Sequence, residues 1–187
     1  PLDEIYQREG GHVYDVPDVI VGPADPATKD YLNLLPEGIS AELSKASTDA
    51  DASLQLKTDY PFQLISRRMK NVFNSTGVEL SFLASKGTTN PAYINPADLT
   101  ALGIEDGEII SISSNRGEIP AVAKSSPDIK VGVVSMAHGW GGMPGTMGDS
   151  KVREIGSNTN RLINNLDESE KYSGMARRSA INVNLSK

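Results

Sequence analysis

Short runs of alternating apolar and polar residues dominate the chain from Tyr60 onward. "YPFQLIS" at 60–66, "VELSFLAS" at 78–85 and "AYIN" at 92–95 read as strands, the second weakly, because alternation puts every other side chain on one face. "INPADLTALGIEDGEIISISSNRGEIPAVAKSS" at 94–126 then carries several local signals together. Asn95 can cap a helix, Pro96 fits its first position, and Asp98 falls in the first turn, where the positive end of the helix dipole favours a carboxylate. Leu99 and Leu102 face inward and Gly103 ends the helix. "EDG" turns the chain, Ile110 and Ile112 alternate with Ser111 and Ser113, and "NRG" is a hairpin turn into "EIPAVAK". "VGVVSMA" at 131–137, continuously small and apolar, reads as a buried strand, and Ala180 to Leu185 as a last alternating one. Between them "HGWGGMPGTMG", with five glycines and a proline, predicts an irregular loop that must be held by packing or binding. From Tyr60 the chain is a mainly β domain with one or two short helices.

The pattern before Tyr60 is different. "VPDVIVGPADP" at 16–26 is proline-rich and extended. Leu32, Leu35, Ile39 and Leu43 recur at near-helical spacing, broken by "PEG", which predicts two short helical pieces. "SKASTDADAS" at 44–53 is small, polar and without apolar periodicity, and reads as a linker. The expected division is therefore a tail or linker over residues 1–53 and a domain over 54–187.

Composition narrows the chemistry. The 187 residues suffice for one good core, although apolar residues at 38% and aromatics at 5% make it a modest one with much loop. Cysteine is absent, which removes disulfides, thiolate nucleophiles and cysteine-held metal clusters from this chain. No apolar run approaches the roughly 20 residues that span a bilayer, so no membrane insertion is expected. The formal net charge of -6 argues against general nucleic-acid binding. The chain opens on Pro1, so it reads as a fragment, expected in the cytoplasm.

Against that acidic background, "LISRRMKNVFNSTG" at 64–77 gathers Arg67, Arg68 and Lys70 at a strand end, with Asn74, Ser75 and Thr76 behind them. Guanidinium forks, the Ser66 hydroxyl and free backbone N–H groups at a sheet margin suit a phosphate or pyrophosphate. Taken alone, the stretch reads more readily as solvated charge and a turn. The two histidines, His12 and His138, lie too far apart for a metal site or a catalytic dyad, and no metal ligand or catalytic residue is assigned. His138 leaves a buried strand for the glycine-rich loop, so contact with a ligand and a purely structural role stay equally open. "HGWGG" lacks the following helix that a dinucleotide fingerprint needs. Glu105, Asp106 and Glu108 read as a solvated turn.

The order strand, "SRR", "NST", "INPADLTALGIEDGEIISISSNRGEI", "GVVSMAHGWGG", "NRL", "RRSAINV" resembles the C-terminal dinucleotide-binding domain of the dimethyl-sulfoxide-reductase family, over roughly Tyr60 to Leu185. That family comprises molybdenum or tungsten oxidoreductases such as formate dehydrogenases and nitrate reductases. The resemblance implies a double-psi β-barrel with a few short helices, preceded by an irregular or helical segment. It implies binding of the guanine dinucleotide and pterin part of a bis(molybdopterin guanine dinucleotide) cofactor, with formate dehydrogenase-like chemistry in the parent subunit. Carried over by motif, the cofactor contacts are Ser66, Arg67, Arg68, Asn74, Ser75, His138, Asn160 and Arg177. "SRR" places arginine where relatives often have a small residue, which leaves Arg67 and Arg68 as alternatives, Arg68 preferred. The metal ligand and any Fe–S cysteines belong to earlier parts of the subunit, so this chain alone should be inactive. The implied partners are the remaining domains of that subunit and an electron-transfer subunit. The alternative is a double-psi barrel serving as a protein or peptide interaction module, which predicts an exposed apolar patch around Trp140, Met143 and Met147.

Overall fold

The computed structural model describes residues 2–8, 10, 13, 15–27, 35, 37–56, 58–74, 76–77, 80–84, 89–142, 148–164, 169 and 173–187. The chain divides into two units, Pro1–Ala41 and Glu42–Lys187. The first contains a short helix, α1 (Leu2–Tyr6), and the extended stretch expected from its prolines, along which Val16, Val19, Ile20 and Val21 are exposed.

The segment expected to be a linker is helical. One helix, α2 (Glu37–Leu56), covers 44–53 and replaces the second of the two short helical pieces; residues 28–34 and 36, where the first would fall, lie outside the described residues. Alanine, leucine and glutamate favour a helix, and no proline or glycine follows Gly38 until the helix has ended. A polar segment can hold a helix without an apolar stripe, so missing periodicity did not imply missing structure. Likewise Ser81–Ala84, expected within a weak strand, form a single helical turn, α3.

The remaining elements are β1 (Phe62–Ser66), β2 (Ala92–Ile94), α4 (Pro96–Leu102), β3 (Ile109–Ser113), β4 (Glu118–Ser125), β5 (Val133–Met136), α5 (Val152–Ile155) and β6 (Ile181–Ser186). Two 3-10 turns, Asp149–Lys151 and Thr159–Leu162, flank α5. The strands close a barrel in the order β1-β5-β2-β4-β3-β6, with β1·β5 and β2·β4 parallel and the other pairs antiparallel. This is the expected double-psi β-barrel, mainly β with a few short helices.

Alternation in sequence becomes alternation across the barrel wall. Leu64, Ile94, Ile110, Ile112, Ile119, Val134, Val183 and Leu185 fill the interior, while their neighbours face outward. Pro120 is tolerated inside β4 because it precedes Ala123, where β2 joins that edge, so no ladder bond needs its missing N–H. Helix α4 forms as its caps predict. The Asn95 side chain accepts from Ala97 N at 2.9 Å, and Gly103 closes the helix at φ 65°. Asp98 is buried and accepts from Gly132 N at 2.8 Å, tying α4 to the turn that launches β5. Among the described residues no helix is long and apolar enough to cross a membrane.

Candidate functional site

Register alone brings several loops to one end of the barrel. β1 and β5 run parallel with Ser66 opposite Met136, and Arg67 N continues the ladder to Met136 O at 3.0 Å. The two strands therefore leave side by side, placing Arg67 and Arg68 next to Ala137 and His138. β6 runs antiparallel to β1 with Ile181 opposite Leu64, so residues 177–180 arrive at the same end. β2 runs antiparallel to β5, which brings its lead-in residue Asn90 there too.

The segments are then fastened to one another. The Ser66 hydroxyl donates to Arg178 O at 2.7 Å, and Ser66 N donates to Ser179 Oγ at 3.3 Å. The hydroxyl proton is thus committed to the chain, and only acceptor lone pairs remain for a ligand. Arg68 Nη1 donates to Asn74 Oδ1. Asn74 sits at φ 55° in a turn closed by reciprocal bonds between Phe73 and Thr76, a left-handed position that asparagine tolerates better than most residues. Arg67 takes another route: its guanidinium lies over the Tyr93 ring, 3.7 Å from the centroid.

On the opposite side of β5, the glycine-rich loop is lashed to residues 155–158. Asn90 Nδ2 donates to Ala137 O at 2.6 Å and to Ser157 O at 2.9 Å. Gly141 N donates to Ile155 O at 3.0 Å, and Asn158 Nδ2 to Gly142 O at 3.3 Å. A side chain at Gly141, φ 72°, would stand 2.5 Å from Asn158 N, so the close approach requires glycine. Asn158 also caps the turn carrying Asn160, accepting from Asn160 N at 3.1 Å and leaving the Asn160 side chain exposed. Arg161 beside it is held by Asp149 at 2.7 Å.

Cations cluster at this end of the barrel. Lys124–Asp106, Lys151–Glu154 and Lys187–Glu108 are ion pairs elsewhere, while Arg153 donates to Gly107 O and not to a carboxylate. Arg67, Arg68, Lys70, Arg177 and Arg178 form no ion pair among the described residues. Five unneutralised cations on neighbouring segments suit an anion with several oxygens.

Of the sequence candidates, Ser66, Arg67, Arg68 and Asn74 lie together, Arg177 adjoins the strap fastened to Ser66, and His138 leaves the neighbouring strand. Asn160 stands on the arm that braces the glycine loop. Ser75 lies outside the described residues, as do His12, Met143 and Met147. Trp140 is buried at 6% exposure instead of contributing to an exposed apolar patch. Its Nε1 and His138 Nδ1 are buried without partners among the described residues. The acidic turn is more firmly built than a merely solvated one, since Asp106 accepts from Ser125 N at 2.6 Å and Glu108 from Glu105 N at 2.9 Å. Both carboxyls are held below their ordinary range, chiefly by those backbone N–H groups. Tyr93, Asn90, Asn158 and Arg178 were not singled out from the sequence. Only Tyr93 carried a signal, its outward position between the inward-facing Ala92 and Ile94.

The profile described as the Molydopterin dinucleotide binding domain matches residues 62–179, from the start of β1 to the strap before β6. The chain belongs to that family. Molydopterin-domain relatives include the dimethyl sulfoxide/trimethylamine N-oxide reductase of Cereibacter sphaeroides, 30% identical over 62% of this chain and 16% of that protein. The F420-dependent formate dehydrogenase subunit alpha of Methanocaldococcus jannaschii is 36% identical over 42% of this chain and 12% of that protein. Among solved structures, acetylene hydratase from Pelobacter acetylenicus superposes with a TM-score of 0.59 at 20% identity, over 72% of this chain and 19% of that one, a likeness of fold. The molydopterin domain thus spans less than a fifth of the length of each of these proteins.

Proposed function

We propose that the chain holds the guanine dinucleotide and pterin part of a bis(molybdopterin guanine dinucleotide) cofactor, as one part of the catalytic subunit of a molybdenum or tungsten oxidoreductase. The unneutralised group of Arg67, Arg68, Lys70, Arg177 and Arg178 at one barrel end carries this reading, because a pyrophosphate supplies the negative oxygens that the chain itself withholds. Asn74, Ser75, Asn160 and His138 are the proposed polar contacts to the heterocycles, with Ser66 as an acceptor. A net charge of -6 is no obstacle, since charges more than about 10 Å away are largely screened at ordinary ionic strength.

When bound, such a cofactor supplies the metal centre at which electrons and an oxygen atom or hydride equivalent are exchanged. The work of this chain is to bind and orient the organic part. The metal ligand, any Fe–S cluster and an electron-transfer partner are assigned to other parts of the subunit or to its neighbours, with residues 1–53 as the tail of the preceding part. The stretch 36% identical to a formate dehydrogenase subunit supports formate dehydrogenase-like chemistry; the longer match to a sulfoxide and amine-oxide reductase supports oxygen-atom transfer instead. The burial of Trp140 counts against the alternative of a peptide-binding module.

Guanine nucleotide content per polypeptide, measured in the full-length subunit, tests the proposal. Arg68→Ala combined with Asn160→Ala should lower it severalfold while the protein stays folded. Unchanged content in that double variant would defeat the assignment.

A further inference from the structure

Ile65 of β1, Ser135 of β5 and Tyr93 of β2 lie in one row across three adjacent strands. The row faces outward on β1 and β2, where Leu64, Ala92 and Ile94 occupy the interior. Arg67 follows Ile65 on the outer face, and its side chain crosses β5 to lay the guanidinium on Tyr93 at 3.7 Å. Ser135, in the middle of the row, is only 3% exposed. At 3.7 Å from the centroid the guanidinium carbon is at stacking distance from the ring, and no hydrogen bond or ion pair engages its N–H groups among the described residues. Arg68, by contrast, already gives one N–H to Asn74.

We propose that Tyr93 is a positioning residue that sets Arg67 as a phosphate contact, fixing the plane of the guanidinium while leaving all five donors for the pyrophosphate of the ligand. The proposal rests on the nucleotide-binding reading above. A free arginine loses side-chain freedom when it grips an anion, whereas one already stacked has lost much of it beforehand, so the stack raises affinity without touching the ligand. It also divides the labour of the "SRR" segment. Arg68 with Asn74 forms one hydrogen-bonded arm, and Arg67 with Tyr93 forms a second on the outer side of β1.

Titration of the 187-residue chain with inorganic pyrophosphate and with GDP, followed by amide chemical shifts, tests this. Tyr93→Leu should weaken pyrophosphate binding about threefold to fivefold, the loss of one half-buried cation–ring contact, while Tyr93→Phe, which keeps the ring, stays within about twofold. Arg67→Gln should weaken it by about tenfold or more, the loss of a charge-assisted bond. In the Arg67→Gln background, Tyr93→Leu should have no further effect. A Tyr93→Leu chain that binds like the wild type, or one that loses as much with Arg67 already removed, overturns the proposal. Should Tyr93→Leu fail to fold, Arg67→Gln, which lies outside the core, carries the test: unchanged pyrophosphate binding there is equally fatal. If Arg68→Ala abolishes binding and Arg67→Gln does not alter it, nucleotide binding stands and the role of Arg67 and Tyr93 falls. If the wild-type chain binds neither pyrophosphate nor GDP, both readings fall together.

Discussion

Asn90 and Ser157 are joined by a reciprocal pair of hydrogen bonds, the Asn90 Oδ1 accepting from Ser157 N at 2.8 Å and its Nδ2 donating to Ser157 O at 2.9 Å. The side-chain amide thereby pairs with the backbone N–H and C=O of one residue as a neighbouring strand would, and its second N–H reaches Ala137 O. One buried residue ties together the start of β2, the end of β5 and the arm carrying Asn160. Asn90→Ala would leave backbone groups of both Ser157 and Ala137 unpartnered, and is expected to destabilise the chain by about 2–4 kcal/mol in denaturant unfolding. A loss below about 1 kcal/mol would mean that the three segments are held by something else.

Two glycines with similar φ separate conformation from close approach. Gly103 at φ 65° has nothing within 4 Å of a would-be Cβ, whereas at Gly141, φ 72°, that carbon meets the backbone of Ser157 and Asn158. Gly103→Ala should cost about 1 kcal/mol, the left-handed conformation alone. Gly141→Ala adds a collision with backbone and should cost about 2–4 kcal/mol. Equal melting temperatures for the two variants would contradict the packed loop.

Ser66→Ala removes the clasp on Arg178 O but leaves the bond from Ser66 N to Ser179. The expected stability loss is about 0.5–1.5 kcal/mol. Faster amide exchange should be confined to residues leading into β6, and pyrophosphate binding should fall along with it. Exchange spread evenly over the barrel would count against a local clasp.

The Asp106 carboxyl is held below its ordinary 3.8, first by Ser125 N–H and then by Lys124. Its native form binds fewer protons than the unfolded chain, so its contribution to stability is whole above that ordinary value and is lost as pH falls through the lower native value. Asp106→Asn, which cannot titrate, should lessen the drop in stability on acidification through pH 4 and below. An unchanged acid profile would show that the bond to Ser125 does not persist in solution.

What was legible in the sequence followed from local chemistry. Asn95, Pro96, Asp98 and Gly103 announced α4 within eleven residues of Tyr93, and the isoleucine–serine alternation with "NRG" announced the β3–β4 hairpin. Helix α2 was hidden because its polar residues show no stripe, although their propensity suffices. The stack of Arg67 on Tyr93 was illegible for another reason: β5 lies between β1 and β2, so the contact depends on a strand that comes later in the chain than either partner. The Ser66 clasp joins residues 112 apart, and Asn90 meets Ser157 across 67, distances over which sequence pattern carries no geometric information. The arginines could be singled out, but which faces and donors they keep free depends on those distant neighbours.

The barrel closes between its first strand and its last, β1 lying against both β5 and β6. During synthesis, Arg67 and Arg68 therefore emerge from the ribosome long before the strands that will hold them, and the seam is sealed only when Ile181–Ser186 have been made. Until then the nascent chain has open, unpaired margins along β1 and β3. Shortening the polypeptide at Ser179 would keep every arginine discussed and still prevent them from gathering, because the closing stave of the barrel would be missing.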